Sequence, residues 1–211
     1  MRNKVIKYVL TVLLIVFVAY NSVYFKNLDE VKAVSSSNSF DPKAYARDFY
    51  DNKLRPSADT AVDLAVLISF LKTQPGEAFK RYSHALAIGN IRYFLIKGEG
   101  TIKSIGGDAV AVDLTGEHGN TKVNIATEFV YGNAIRDASG QMNLNDFTNT
   151  AEFNMISEKI NEIIRADVVP PFLGKAKEGS NMKFTGAIEL NQKYIDISLI
   201  EVIPVELSIQ N

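Results

Sequence analysis

The spacing of apolar residues after Asn90 limits the fold more than any other feature, because it excludes an all-helical chain. From this point apolar side chains recur at every second residue, which is the period of a β-strand. The first strand, Ile91–Ile105, is long, and its glycines at positions 98 and 100 permit a bend. Further strands are predicted over Ala109–Leu114, Val123–Val130, Met182–Leu190 and Ile195–Ile209.

Capping signals place the helices. Asp41 followed by Pro42 predicts a helix start, since Asp can accept from free N–H groups and Pro suits the first helical position. Two more short helices are predicted before Gly89: the first starts near Asp59 or Thr60, and the second ends beyond His84. Asn149 with Glu152 predicts a capping box for a later helix, between the third and fourth strands.

This order of elements leads to a fold prediction of class α+β. We expect a single N-terminal transmembrane anchor over residues 1–26, a linker over 27–39 and a short helical segment over 40–89. A five-stranded OB-like β-barrel over residues 90–211 follows, with a helix between strands 3 and 4, because this is the strand and helix order of an OB-fold. Residues 40–211 are expected to form one compact unit, and another small α+β sheet is the alternative.

The N-terminus predicts the location of the protein. Arg2, Lys4 and Lys7 precede an uncharged run of 18 residues, Tyr8–Phe25. The run predicts a helix that crosses the membrane through residues 5–25, and the preceding positive charges place the N-terminus in the cytoplasm. The protein is then single-pass in the inner membrane, with its C-terminal domain periplasmic or extracytoplasmic. A cleaved signal peptide and a buried helix are the alternatives.

Composition excludes several classes of function. Cysteine is absent and histidine occurs twice, which excludes zinc ribbons, iron–sulfur clusters, thiol catalysis and a lipid-modified cysteine. We therefore expect neither a metal nor a cofactor. Beyond the first seven residues there are 20 basic and 24 acidic side chains. A nucleic-acid partner is not expected, because phosphate binding requires a basic surface.

The polar loop Tyr131–Gly140 is the strongest candidate for a binding site. It joins a strand to a helix, and loops carried on a rigid scaffold often bind ligands. Arg136 could hold a carboxylate or phosphate through two hydrogen bonds, and Asp137 could orient it. Asn133, Glu128 and His84 belong to the same predicted ligand- or partner-binding set. The alternative is that Arg136 and Asp137 form a structural pair that fixes the loop to the barrel.

His84 is the remaining candidate. At the end of a helix, a histidine acts as a general base, contacts an anion, or simply interacts favourably with the helix dipole. A hydrolase that pairs His84 with Glu128 or Asp137 would need these side chains to converge in a cleft. No catalytic constellation is evident in the sequence, so we predict that the protein is not an enzyme.

Several segments together carry a family resemblance: Tyr20–Lys26, Tyr82–Leu86, Gly89–Phe94, Gly132–Gly140 and Gly186–Asn191. The chain resembles an uncharacterised (DUF-type) family of predicted bacterial periplasmic lipoproteins. The resemblance brings no catalytic residues, and it implies an association with sugar-type ABC transport systems. The chain departs from the lipoprotein description because it has no cysteine to lipidate.

These observations lead to one functional hypothesis and one alternative. We expect a membrane-anchored binding or accessory module that contacts a membrane transport protein, an envelope protein or a small-molecule ligand through the Tyr131–Gly140 loop. The alternative is a structural subunit of an envelope complex.

Overall fold

The protein is described by a computed structural model that covers residues 2–22, 40–86, 88–116, 121–147 and 149–210. The chain divides into two units, Met1–Phe40 and Asp41–Asn211. The first unit contains helix α1, Arg2–Ser22. The predicted linker over residues 27–39 lies outside the described residues.

The second unit begins with helices, and local capping explains where they start. Helix α2, Pro42–Phe49, begins at Asp41, whose Oδ1 accepts from the backbone N–H of Lys43 at 2.9 Å and of Ala44 at 3.0 Å. This confirms the predicted start. A π-helical turn, Tyr50–Leu54, and a 3₁₀ turn, Pro56–Thr60, follow. The chain then forms strand β1, helices α3 and α4, and strand β2, with bounds Val62–Asp63, Leu64–Thr73, Pro75–Tyr82 and Ser83–His84.

Two helix predictions in this region need correction. The second predicted helix starts later than expected, since Asp63 caps it after the two-residue strand β1. The third ends at Tyr82, and His84 lies in β2, where it pairs with Tyr93. Strands of two residues are too short to show an alternating pattern, so the sequence places them inside the neighbouring helices.

The long strands agree closely with the alternating pattern. Strands β3 and β4, Ile91–Ile105 and Ala109–Leu114, have the predicted bounds. The others differ by a few residues at their ends: β5, Lys122–Ala126; β6, Asn181–Asn191; β7, Leu199–Gln210. Pro204 stands opposite Gly186 at a shift in register between β6 and β7, as expected for a proline that cannot donate to the ladder.

All the strands join in one seven-stranded sheet with the order β1-β3-β4-β5-β7-β6. In addition, β2 pairs with β3, and β3 pairs with β6 from Ile91 to Thr101. Strands β5 and β7 run parallel, whereas the pairs among β3, β4 and β6 are antiparallel. The predicted five-stranded barrel is therefore wrong as stated, because the sheet also takes up β1 and β2.

Between β5 and β6 the chain is mostly helical. The short helix α5, Ala134–Ala138, is followed by a 3₁₀ turn, Leu144–Asp146, and by helix α6, Thr150–Ile163. A π-helical turn, Ile164–Val168, and helix α7, Val169–Leu173, complete the connection. The capping box is confirmed, because Asn149 Oδ1 accepts from the Glu152 N–H at 3.0 Å while Asn149 Nδ2 donates to Glu152 Oε1 at 3.2 Å.

The main core lies between the sheet and helices α3 and α4. Its fully buried side chains include Leu67 and Ile68 on α3, Phe94 and Ile96 on β3, and Met182 on β6. A second set of buried side chains connects α6 to α2 and α5. It comprises Ala46, Phe49, Ile135, Phe153, Ile156 and Ile160. The helical connection is thereby fixed against the sheet, and it carries the loop that the sequence singles out.

The membrane prediction also requires correction. Among the residues that the structure describes, no helix is sufficiently long and apolar to cross a membrane. The N-terminal transmembrane anchor of the predicted fold class is therefore not supported. A helix does form there, as α1 shows, but helix formation is a separate property from membrane insertion.

Candidate functional site

The Tyr131–Gly140 loop encloses a buried ion pair. Arg136 and Asp137 are only 5% and 2% exposed, and Arg136 Nε donates to Asp137 Oδ1 at 2.6 Å. Helix α6 supplies further partners, since Arg136 Nη1 donates to the Phe153 carbonyl at 3.2 Å and to Ser157 Oγ at 2.8 Å. The guanidinium carbon also lies 3.6 Å from the centroid of the Phe153 ring. Arg136 is thus held by the protein's own groups.

Asn133 connects this buried pair to the surface. Its Nδ2 donates to Asp137 Oδ2 at 2.7 Å, and its Oδ1 accepts from the Tyr93 hydroxyl at 3.3 Å. Asn161 on α6 donates to the Gly132 carbonyl at 2.8 Å and so fixes the preceding peptide. Asn133 is half-buried, in contrast to the buried residues that follow it. It is therefore a polar side chain in a fixed position at the surface end of the network.

A crevice of about 420 Å³ opens beside Asn133, between the loop and strands β6 and β7. Its walls carry three exposed carboxylates, Glu189, Asp196 and Glu201, together with the aromatic ring of Tyr131, which is 60% exposed. Within the described parts of the chain, none of these three carboxylates forms an ion pair with a basic side chain. The crevice therefore offers several free hydrogen-bond acceptors next to an aromatic surface.

Two pKa shifts are consistent with this arrangement. Burial, and then the nearby Glu189 carboxylate, raise the pKa of the Tyr93 phenol above its ordinary value. Hydrogen bonds from the hydroxyl and backbone N–H of Ser198, at 2.7 and 2.9 Å, lower the pKa of Asp196. Asp196 is consequently charged at neutral pH, and because both bonds reach Oδ1, its Oδ2 faces no donor from Ser198.

The structure separates the other predicted site residues from this crevice. Glu128 is exposed in the turn after β5, where its backbone N–H donates to the Asp108 carbonyl at 3.2 Å, and its side chain does not line the crevice. His84 lies on β2, with its ring against Gly140. Burial lowers the pKa of His84, and no carboxylate among the described residues contributes to that shift.

Asn133, Arg136 and Asp137 therefore form one unit, and His84 packs against the end of the same loop. Glu189, Asp196 and Glu201 were not predicted as site residues, because only the pairing of β6 with β7 brings them to the loop. Glu189 and Glu201 lie at exposed positions of strands whose burial alternates. In the sequence, the only corresponding signal is a charged residue between apolar neighbours. In the described ranges, no group of three or more histidines or acids is placed so that it could hold a metal ion.

The crystal structure of an OB-fold protein from Thermotoga maritima is similar to this chain, with a TM-score of 0.72 and 28% sequence identity. The similarity covers 82% of this chain and 100% of the other. This finding supports the OB-like arrangement that the order of strands and helix predicts. A search of curated proteins gave no match.

A family model matches residues 13–208, nearly the whole chain, and is described as predicted periplasmic lipoprotein, DUF2291. This match confirms the resemblance drawn from the sequence, and it indicates an extracytoplasmic protein. The chain belongs to this uncharacterised family of predicted periplasmic lipoproteins.

Proposed function

We propose that this protein is an extracytoplasmic binding module, and that it holds a neutral sugar in the crevice beside Asn133. The observation that carries the proposal is the geometry of that crevice. A half-buried amide, three carboxylates and an exposed tyrosine ring surround about 420 Å³, a volume in the range of small-molecule sites. Carboxylate and amide groups accept from sugar hydroxyls, and the apolar face of a sugar packs on an aromatic ring.

Preorganisation supports the same proposal. Asn133 is fixed before a ligand arrives, by Tyr93 on one side and Asp137 on the other. A polar group that is already oriented loses little conformational entropy on binding. In this proposal Arg136 and Asp137 act as positioning residues, since they hold the loop in place and do not contact the ligand.

We further propose that the module serves as an accessory protein of a sugar-type transport system, a role rather than an activity. The family resemblance implies such an association, and a sugar ligand in the crevice is chemically consistent with it. A binding role is also consistent with the placement of the side chains that were considered for catalysis. Asp137 directs both carboxylate oxygens to Arg136 and Asn133, so it is poorly placed to serve His84 as a catalytic partner.

Isothermal titration calorimetry of the full chain with a panel of neutral mono- and disaccharides tests the proposal. We expect Glu201→Gln to weaken binding by about tenfold, because the neutral amide oxygen accepts a weaker hydrogen bond than the charged carboxylate does. Tyr131→Ala is expected to weaken it by about three- to tenfold through the loss of ring contact.

Matched controls come from outside the crevice. Glu178→Gln changes an exposed acid, and Phe129→Ala removes a ring that is 56% exposed, and neither residue lines the crevice. Both variants should bind as the wild type does. No binding of any sugar, or equal losses in the controls, would refute a sugar site here. Binding of a cationic amine that weakens steeply with added salt, without sugar binding, would also refute it and would assign the carboxylates to a charged ligand.

A further inference from the structure

A second cleft lies where the end of helix α4 meets β2 and β3. Its volume is about 660 Å³, and it is lined by residues of α4, of β2 and of the segment after β6. It shares no lining residue with the crevice beside Asn133. The two sites therefore have separate linings, although they adjoin along the chain, since Ile195 lines the cleft and Asp196 lines the crevice.

The charge of this cleft is opposite to that of the chain. Lys80 and Arg92 line it, and His84 supplies a third nitrogen-bearing side chain, whereas none of its lining residues is acidic. Acidic residues outnumber basic ones by 24 to 23 in the whole sequence and by 22 to 18 from Asp41 onwards. A cationic cleft on a chain of net negative charge concentrates anions locally.

The cationic groups are placed for use by a ligand. Lys80 forms no hydrogen bond or ion pair with any residue that the structure describes. The Arg92 guanidinium is oriented by one contact, from Nε to Gln192 Oε1 at 3.3 Å. The His84 backbone is fixed by pairing of β2 with β3, and one side of its ring is fixed by Gly140.

Two large apolar side chains, Phe79 and Ile195, are among the residues that line the cleft. Phe79 on α4 is 7% exposed and packs edge-on against Phe94, with ring centroids 5.1 Å apart. Ile195, from the segment after β6, is 37% exposed. Ser83 adds no free donor, since its hydroxyl already donates to the Phe79 carbonyl at 2.6 Å. The lining thus suits an occupant that has an anionic group for Lys80 and Arg92 and an apolar group for Phe79 and Ile195.

We propose that the cleft between α4, β2 and β3 binds a small organic anion, with a phosphate or carboxylate held by Lys80 and Arg92 and an apolar group against Phe79. Both anions are matched by these donors, because an arginine fork and a lysine ammonium pair with either. The choice between phosphate and carboxylate is left to the probes of the experiment.

Calorimetric titration of the full chain with phenyl phosphate and with benzoate tests the proposal. Each probe joins an anionic group to one ring. We expect at least one of them to bind, and whichever binds more tightly identifies the anion. Lys80→Gln and Arg92→Gln should each weaken that binding by about tenfold, since each removes a charge-assisted hydrogen bond.

Arg81→Gln is the matched control, because Arg81 neighbours Lys80 on the same helix but lies over the Tyr82 ring and outside the cleft. It removes the same charge and should leave binding within about twofold of wild type. A proton NMR titration provides a second readout: the His84 ring signal, assigned by its loss in His84→Gln, should shift as the probe is added.

Three results would overturn the proposal. One is the absence of binding by both probes. Another is an equal loss of affinity in Arg81→Gln and Lys80→Gln, which would indicate attraction to general surface charge. The third is binding without any shift of the His84 signal. Glu201→Gln should leave binding of either probe unchanged, so this experiment can fail or succeed separately from the sugar titration.

Discussion

The buried pair of Arg136 and Asp137 allows a quantitative test of the structural role assigned to the loop. In Asp137→Asn the size of the side chain is kept and its charge is removed. The Arg136 guanidinium then stays buried at 5% exposure without the carboxylate that balances it. Breaking a buried ion pair by removing one partner costs about 3–5 kcal/mol, because the remaining charge is desolvated and unpaired. We expect the free energy of unfolding to fall by about that amount.

Urea denaturation of the full chain measures this loss. Unfolding is followed by circular dichroism, because the chain contains no tryptophan for a fluorescence signal. For an m-value of about 2 kcal/mol/M, the loss shifts the midpoint downward by about 1.5–2.5 M urea. The shift should change little with added salt, because buried charges are weakly screened.

An exposed ion pair of equal length provides the control. Arg47 and Asp167 also meet at 2.6 Å, but their side chains are 48% and 49% exposed. Asp167→Asn should cost no more than about 1 kcal/mol. The double variant Arg136→Met/Asp137→Asn should lose less stability than the two single variants combined, since no charge stays buried alone. A loss below about 1 kcal/mol in Asp137→Asn, or strict additivity in the double variant, would refute this reasoning.

Three further predictions concern backbone fit and pH. Gly140 has a φ of +64°, and an added Cβ would lie 2.6 Å from the His84 ring. Gly140→Ala should therefore lower the free energy of unfolding in urea by about 1–3 kcal/mol. His84→Ala in that background should restore part of the lost stability. Gly186→Ala should destabilise the protein by a similar amount or more, because the added Cβ would lie 2.6 Å from the Ile203 carbonyl oxygen. At Gly76 an added Cβ has nothing within 4 Å, so Gly76→Ala should raise the melting temperature slightly. Burial lowers the pKa of His84, so the unfolded chain binds a proton there at a higher pH than the folded chain does. The free energy of unfolding should therefore fall as the pH drops through about 6.5. His84→Gln should flatten that part of the pH profile, and identical profiles for wild type and variant would contradict the assignment.

The accuracy of the sequence-based predictions follows the range of the interactions involved. Capping depends on residues three or four apart, which explains why Asp41 and the Asn149–Glu152 box were identified correctly. The period-two pattern likewise gave the bounds of β3 and β4. The two-residue strands β1 and β2 escaped detection because their hydrogen bonds come from β3, about 10 to 35 residues along the chain.

The candidate site shows the same division. The sequence pointed to the Tyr131–Gly140 loop from its polar composition, and the structure places Asn133, Arg136 and Asp137 in one connected network there. It left open whether Arg136 meets a ligand or a structural partner. The contacts with Phe153 and Ser157 on α6 favour the structural partner.

By itself, the sequence determined the succession of the long strands along the chain, the main helix caps and the family of this protein, because each is encoded in local spacing or in matching segments. Only the tertiary structure decided which charges are buried and which are exposed in the crevice. Arg136 is buried because α6 packs over it, and Glu189 and Glu201 reach the same crevice because β6 and β7 come together beside the loop. Long-range packing sets the solvation of a charged side chain, and solvation determines whether that charge holds the fold together or is available to bind.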